Sequence, residues 1–567
     1  MSSSTLRAIC LIGALILIAV VARQTSFAQQ STEPVAKLQK ARSLLAQQRA
    51  PEAEAILRDV IRDHSDQPGP HYLLGLALHQ QKKYDDAILW YRKAAEFKPT
   101  KAIALYNMAC IHSLQGNNDA AFEQLEQSLA AGFNNFGQLE GDPDFANIRS
   151  DPRFQQLLPR QLPDDELFLE PTRIIHQFVG EASGDQFGWT ARRVGDWDGD
   201  GVVDFVSTAP THNQGAGKVY VYSSKTGELL LEKSGAAGEQ FGNSASGCGD
   251  VNGDGVPDLA VGAPNQKQPG NAYVFSGVDG KQLLHISGAS PGDRFGVEVS
   301  ELGDIDGDGC GDFLVGSDAG NGKQARSGLA IAYSGKTGQK LFELEGEQSG
   351  DNFGNAAACQ PNGDGSFTLA IGAQNAGPND RGRVYLYRIE GGTPRSTATI
   401  EGDDNSVNLG QMFISFPGDV NGDGVHDVYA SDFSDKSSAP GGGKIYVCDA
   451  TNGQPLLTLT GKQPGEGLGT SPSDAGDVNG DGVGDLVIGA WQNREGAPSG
   501  GKVYLYDGRT GDLIRTWTCR QAGDTLGFDA CGIGDVDGDG KIDFLLTSAW
   551  SNIRGPKTGR VFILAGE

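Results

Sequence analysis

Cysteine and histidine are scarce in this chain, at 8 of each in 567 residues. No Cys-x-x-Cys occurs, and seven cysteines, an odd number, follow residue 28: Cys110, Cys248, Cys310, Cys359, Cys448, Cys519 and Cys531. That pattern reads as buried free thiols, although Cys519 and Cys531 flank one strand connection and are placed to pair after export. The histidines are scattered, with no His-Glu-x-x-His, so no zinc-hydrolase motif is present. Basic residues are also few: 46 Lys and Arg stand against 72 Asp and Glu, for a net charge of −26. With no basic patch, nucleic acid is excluded as a partner. Only one apolar run is long, Ala8 to Val21, and it is short for a membrane span. Flanked by Arg7 and by Ser26-Phe-Ala28, it reads as an export signal over 1–28, with an uncleaved anchor as the alternative. No catalytic constellation stands out. Lys336-Thr-Gly338 matches a hydrolase triplet and Gly335-Lys-Thr337 the end of a phosphate loop. Such triplets recur in other repeats, however, and the first phosphate-loop glycine would fall at Ala330.

What the chain has in abundance is glycine, 82 residues, and aspartate arranged in a nine-residue loop. Full copies begin at Asp196, Asp250, Asp304, Asp419, Asp477 and Asp535, and a weaker one spans Gln360 to Thr368. Positions 1, 3, 5 and 9 carry Asp or Asn, and glycines at 4 and 6 let the backbone turn. Side-chain oxygens with the position-7 carbonyl match the six to eight oxygens that calcium takes. The expected ligands are Asp196, Asp198, Asp200, Val202 and Asp204 in the first loop, and Asp250, Asn252, Asp254, Val256 and Asp258 in the second. The third offers Asp304, Asp306, Asp308, Cys310 and Asp312; the fifth Asp419, Asn421, Asp423, Val425 and Asp427. The sixth offers Asp477, Asn479, Asp481, Val483 and Asp485; the seventh Asp535, Asp537, Asp539, Lys541 and Asp543. The fourth lacks carboxylates at positions 1 and 9 and is expected to stay empty, leaving about six Ca²⁺. Those ions would bring the net charge from −26 to about −14. Position 12 is apolar (Val261, Val315, Ile488), which rules out an EF-hand. His426, at position 8 of the fifth loop, is given a structural role.

Successive loops start 54 to 59 residues apart, the mark of one supersecondary unit per repeat. Each repeat opens on Phe-Gly or Leu-Gly: 187, 241, 295, 353, 409, 468 and 526. The loop follows, then an apolar run ending near Gly262-Ala-Pro264 or its equivalent, an alternating strand such as Lys218-Val-Tyr-Val-Tyr222, a turn, and a last strand. Four short antiparallel strands per repeat predict propeller blades. The seventh repeat stops after Arg560–Leu564, while 173–179 precede the first loop as an orphan strand. We expect them to pair and close a seven-bladed ring.

Phe-Gly, the D-x-[DN]-G-D-G-x-x-D loop and Gly-Ala-Pro together resemble the FG-GAP repeats of the integrin α-subunit propeller, over roughly 171–567. The resemblance implies that cation loops lie on the lower face and stiffen the blades, while partners meet other loops. Leu replaces Phe in the last three repeats, and the fourth loop departs from the pattern.

Residues 35–136 show a 34-residue period. Gly75, Ala87, Tyr91, Ala94 and Pro99 mark one copy, with Ala41 and Ala53 before it and Ala109, Ala121, Leu125 and Ser128 after. This resembles an all-α module of three tetratricopeptide (TPR) repeats, which implies protein contacts on a concave face. Segments at Asp142-Pro and Asp151-Pro read as capping helices, and Pro159 to Pro171 as the linker within 137–170. The fold class expected is therefore multidomain: a small TPR module preceding a seven-bladed FG-GAP propeller. The function expected is an exported calcium-binding adhesion or scaffold protein for a protein or carbohydrate ligand, without a membrane span after signal cleavage. The alternative is a propeller-face lyase or hydrolase. The most variable segments, and so the expected contact surface, are the seven connections 211–217, 265–270, 318–327, 375–382, 433–442, 492–500 and 551–559.

Overall fold

The computed structural model describes residues 32–566 apart from 64, 65, 134, 159, 160 and 266. The expected export signal over 1–28 lies outside the described residues. The chain divides into two compact units, 1–160 and 161–567.

The first unit is all helical. Thr32–Ala46 packs on Ala50–Asp63, Pro68–Gln80 on Tyr84–Ala95, and Lys98–Leu114 on Asn118–Ala130. Prolines at the first turns of the third and fifth helices start them where no intrahelical N–H is needed. The marker residues have packing roles. A Cβ on Gly75 would sit 2.6 Å from the Tyr91 ring, so only glycine lets these helices close. Ala41, Ala53, Ala87, Ala94, Ala109 and Ala121 are all fully buried at the same crossings. Phe136–Gly141, a 3₁₀ turn at Pro143–Phe145 and Pro152–Leu157 then cover the end of the array with Phe145 and Phe154.

The second unit is a propeller of seven four-stranded antiparallel sheets. Blade 1 is Ala191–Gly195, Asp204–Ala209, Lys218–Tyr222 and Leu229–Ser234, and the next five blades repeat this order. In blade 7 the fourth strand is Ile174–Val179, which pairs with Arg560–Leu564 in register Val179↔Arg560. The expected closure is thus present. Second strands are buried throughout, because neighbouring blades cover both faces. Fourth strands alternate exposed and half-buried positions on the rim. Part of the expected linker belongs to this unit: Leu167 and Phe168 are buried against Trp517, and Glu170 accepts from Thr516 and Thr518 of blade 6.

The two halves of the repeat signature meet across blade boundaries. Phe241 of blade 2 bridges Gly217 of blade 1, and four further boundaries repeat the contact. A Cβ on Gly262, in the Gly-Ala-Pro run, would lie 2.1 Å from the Gly296 carbonyl of the next blade's Phe-Gly; Gly316, Gly372 and Gly489 face the same limit. Leu409, Leu468 and Leu526 are as buried as the phenylalanines they replace, so the substitution keeps the seam filled.

Candidate metal centres and the opposite face

All six full loops fold alike. In the second, Asp250 Oδ1 accepts from the N–H groups of Gly253 (2.7 Å) and Asp254 (3.1 Å), and Oδ2 from Gly255 (2.7 Å). Asp196, Asp304, Asp419, Asp477 and Asp535 do the same in their loops. Position 5 accepts the N–H of position 7, at Val202, Val256, Cys310, Val425, Val483 and Lys541. Glycines at positions 4 and 6 take positive φ in every full loop, from Gly199 (76°) to Gly540 (86°). Position 9 ties the loop to its blade. Asp258 Oδ2 accepts from Val251 N–H and Oδ1 from Gly277 N–H of the turn between strands 3 and 4. Asp204, Asp312, Asp485 and Asp543 bond likewise.

The donor set fits a hard divalent cation. Carboxylate oxygens of Asp196, Asp198 and Asp204 lie within 4.8 Å of one another, as do those of Asp304, Asp306 and Asp308, and of Asp535, Asp537 and Asp539. The second, fifth and sixth loops substitute the amides of Asn252, Asn421 and Asn479 at position 3. Buried oxygens are left over: Asp427 Oδ1 and Asp200 Oδ2 have no hydrogen-bond partner, with Lys225 Nζ 3.9 Å from the latter. Burial, reinforced by neighbouring loop carboxylates, pushes Asp204, Asp258 and Asp312 up to about 6 and Asp427 up to about 7. A cation at these oxygens would reverse that pressure.

The fourth loop is built differently. Gln360 and Thr368 pair across a β-ladder, so the segment closes as a plain hairpin. Asn362 bonds Ser366 and Thr368, and Asp364 pairs with Arg388. Hydrogen bonds from Ser366, then Arg388, hold the Asp364 carboxyl down at about 2.

Two features escape the sequence reading above. The first is a buried acid two residues before Phe-Gly or Leu-Gly in six repeats: Asp185, Glu239, Asp293, Asp351, Glu466 and Asp524; the fifth repeat has Val407 there, with Ser406 buried beside it. Asp185, Glu239, Asp351 and Glu466 accept backbone N–H groups of their own turns, and Asp524 forms a buried ion pair with Arg560 at 2.6 Å. The spacing [DE]-x-[FL]-G is a recoverable signal. The second is an aromatic cluster from blades 1, 6 and 7. Trp491 and Trp550 stand in the proline position of Gly-Ala-Pro, and Trp189 and Phe528 directly follow Phe-Gly and Leu-Gly. Trp491 and Trp550 lie 4.6 Å apart edge to face, Trp189 is 4.9 Å from Phe528, and Lys557 Nζ sits 4.3 Å over Trp550. The three tryptophans are half-exposed. Antiparallel connectivity puts them and the seven variable connections at one end of the strands, and the cation loops at the other. The seven cysteines form no disulfide; Cys359 is half-buried and the others are buried.

A tetratricopeptide-repeat family model matches residues 38–102, and the FG-GAP repeat model matches 241–275 and 473–506. Integrin alpha-PS5 of Drosophila melanogaster is 35% identical over 167 residues, covering 26% of this chain and 16% of that protein. Integrin alpha pat-2 of Caenorhabditis briggsae is 29% identical over 266 residues, covering 40% and 21%. The matched stretches thus span about a fifth or less of those relatives. A solved complex of BBS1N with ARL6DN aligns over 70% of this chain at a TM-score of 0.45 and 10% identity, too loosely to carry an argument. The chain carries TPR and FG-GAP repeats, the latter in a seven-bladed propeller like that of integrin alpha chains. Among the described residues no helix is long and apolar enough to cross a membrane.

Proposed function

We propose that this chain is an exported adhesion or scaffold protein: a calcium-stiffened propeller that captures a protein partner, with the TPR module as a second contact arm. The observation that carries the reading is the difference between the two ends of the blades. At one end, six near-identical loops offer oxygen donors, and the position-9 aspartates of five of them also tie the loop to the segment that follows strand 3. Calcium there supplies the positive charge that lets buried carboxylates stay ionised, which is structural work repeated blade by blade. At the other end, seven connections differ in length and surround half-exposed tryptophans, a residue type enriched at binding hot spots. Fixed chemistry on one face and varied chemistry on the other suit a rigid scaffold presenting a specific surface. The fourth loop takes no part in calcium binding, since its one acid is held by Arg388.

The test is affinity capture on the full chain, in calcium and in EDTA. It compares the native protein with a variant whose seven connections are short Gly/Ser turns. Loss of partner binding in that variant, with calcium-dependent melting intact, supports the reading. Capture that persists in the variant but fails on deletion of residues 35–136 moves recognition to the TPR module and overturns it.

A further inference from the structure

The helical unit contains a second kind of metal-ligating cluster, unrelated to the loops. Cys110 lies on the fifth helix, Lys98–Leu114, and Asp142 and Asp144 on the turn that caps the array. Their ligand atoms lie within 4.8 Å of one another. Cys110 Sγ is 3.8 Å from Asp142 Oδ2, and His79 Nε2, from the third helix, is 3.7 Å from Asp144 Oδ2. A tetrahedral zinc ion with bonds of about 2.0–2.3 Å holds its ligand atoms roughly 3.3–3.8 Å apart. The Cys110–Asp142 and His79–Asp144 separations therefore match edge lengths of such a site, with His79 reaching the three-residue cluster through Asp144.

Three further observations point to an ion. Tyr91 is fully buried, and its hydroxyl has no hydrogen-bond partner. Its ring stands edge-on to His79, 6.3 Å between centroids, which puts this unsatisfied group beside the cluster. Asp142 is oriented from outside, as a metal ligand needs: Tyr106 donates to its Oδ2 at 2.7 Å and the Asp144 N–H to its Oδ1 at 3.0 Å. Charge also balances. One thiolate and two carboxylates make −3, a divalent ion brings this to −1, and Arg149, which donates to the Asp142 carbonyl, supplies the remaining positive charge. His79 and Asp144 keep 12% and 20% side-chain exposure, which leaves a way in from solvent.

We propose that the helical unit binds one transition-metal ion of the zinc type through His79 Nε2, Cys110 Sγ and the carboxylates of Asp142 and Asp144, a closed tetrahedral set beside the buried Tyr91 ring. Thiolate and imidazole select such an ion over calcium, which prefers all-oxygen sites. The ion would pin the cap to the third and fifth helices.

The experiment uses the full chain, stripped of metal and returned to excess calcium so that the propeller loops are saturated, then titrated with Co²⁺. One equivalent should bind with a thiolate-to-cobalt charge-transfer band and the visible intensity of a tetrahedral centre, and zinc should displace it. Cys110→Ser should abolish the charge-transfer band, and Asp144→Asn should weaken cobalt binding at least tenfold. Helical circular dichroism checks both variants. If Cys110→Ser does not fold, Asp144→Asn decides. Cobalt bound without that band, a band that survives Cys110→Ser, displacement by calcium, or unchanged affinity in Asp144→Asn would overturn the proposal.

Discussion

Replacing one loop carboxylate gives the sharpest test of the calcium reading. Asp254, at position 5 of the second loop, is exposed; its Oδ1 accepts Val256 N–H at 3.0 Å, a bond that an asparagine oxygen keeps. Asp254→Asn should therefore change stability in EDTA by no more than about 0.5 kcal/mol, as for an exposed substitution away from the core. In calcium the loop retains only Asp250 and Asp258 as anionic ligands. Extracellular-type sites bind with Kd ~0.1–1 mM. At free calcium about twenty times Kd, an intact site contributes roughly 1.8 kcal/mol by mass action, nearly all of which a hundredfold loss of affinity removes. Six such sites total roughly 11 kcal/mol, comparable to the net stability of a whole domain. EDTA should thus lower the melting point clearly and reversibly. Urea unfolding followed by tryptophan fluorescence measures this, since five of the six tryptophans (all but Trp90) lie in the propeller. Asp364→Asn is the internal control: that carboxylate is held by Arg388 in the fourth hairpin, so its removal should leave the calcium-dependent increment unchanged. Identical melting of metal-loaded protein in EDTA, or an Asp364→Asn loss of calcium-dependent stability as large as that of Asp254→Asn, would refute calcium binding by the full loops.

Gln360→Asp combined with Thr368→Asp should restore the missing ligands and raise bound calcium from about six to seven equivalents by equilibrium dialysis; unchanged stoichiometry would show that the hairpin ladder dominates. Asp204, Asp258 and Asp312 are pushed up to about 6 and Asp427 to about 7, all above the unfolded value of about 3.9. Over that window the folded state binds more protons than the unfolded one, so the metal-free propeller should gain stability as pH falls from 7 towards 4. Calcium affinity should fall over the same range because protons compete for the ligands, so melting curves with and without calcium should converge at low pH. Phe178 packs 4.5 Å from Tyr222 and 5.2 Å from Phe205 where the closing strand meets blade 1, and Phe178→Ala should cost about 3–5 kcal/mol in urea unfolding. A loss below about 1 kcal/mol would mean that ring closure adds little.

The repeats were readable because their chemistry is local. Each loop draws its oxygen donors from nine consecutive residues, and their spacing alone separates six full loops from the relic at Gln360–Thr368. Strand alternation and the orphan segment before the first loop were enough to expect seven blades and the closure at Ile174–Val179. The buried acid at [DE]-x-[FL]-G was present in the same pattern but carries no meaning until the turn it holds is seen.

The linear order of residues thus determined the repeat count, the blade, the ligand loop and the helical period, since each depends on neighbours along the chain. Tertiary structure decided what depends on residues far apart in it. Trp189 meets Phe528, and through it the pair Trp491 and Trp550, only because closing the ring places blade 1 beside blade 7. Gly262 is constrained only because the carbonyl of Gly296, in the next blade, passes 2.1 Å from where its Cβ would stand. Cys110, Asp142 and Asp144 converge, with His79 against Asp144, only when three helical segments stack, which no spacing in the chain reveals.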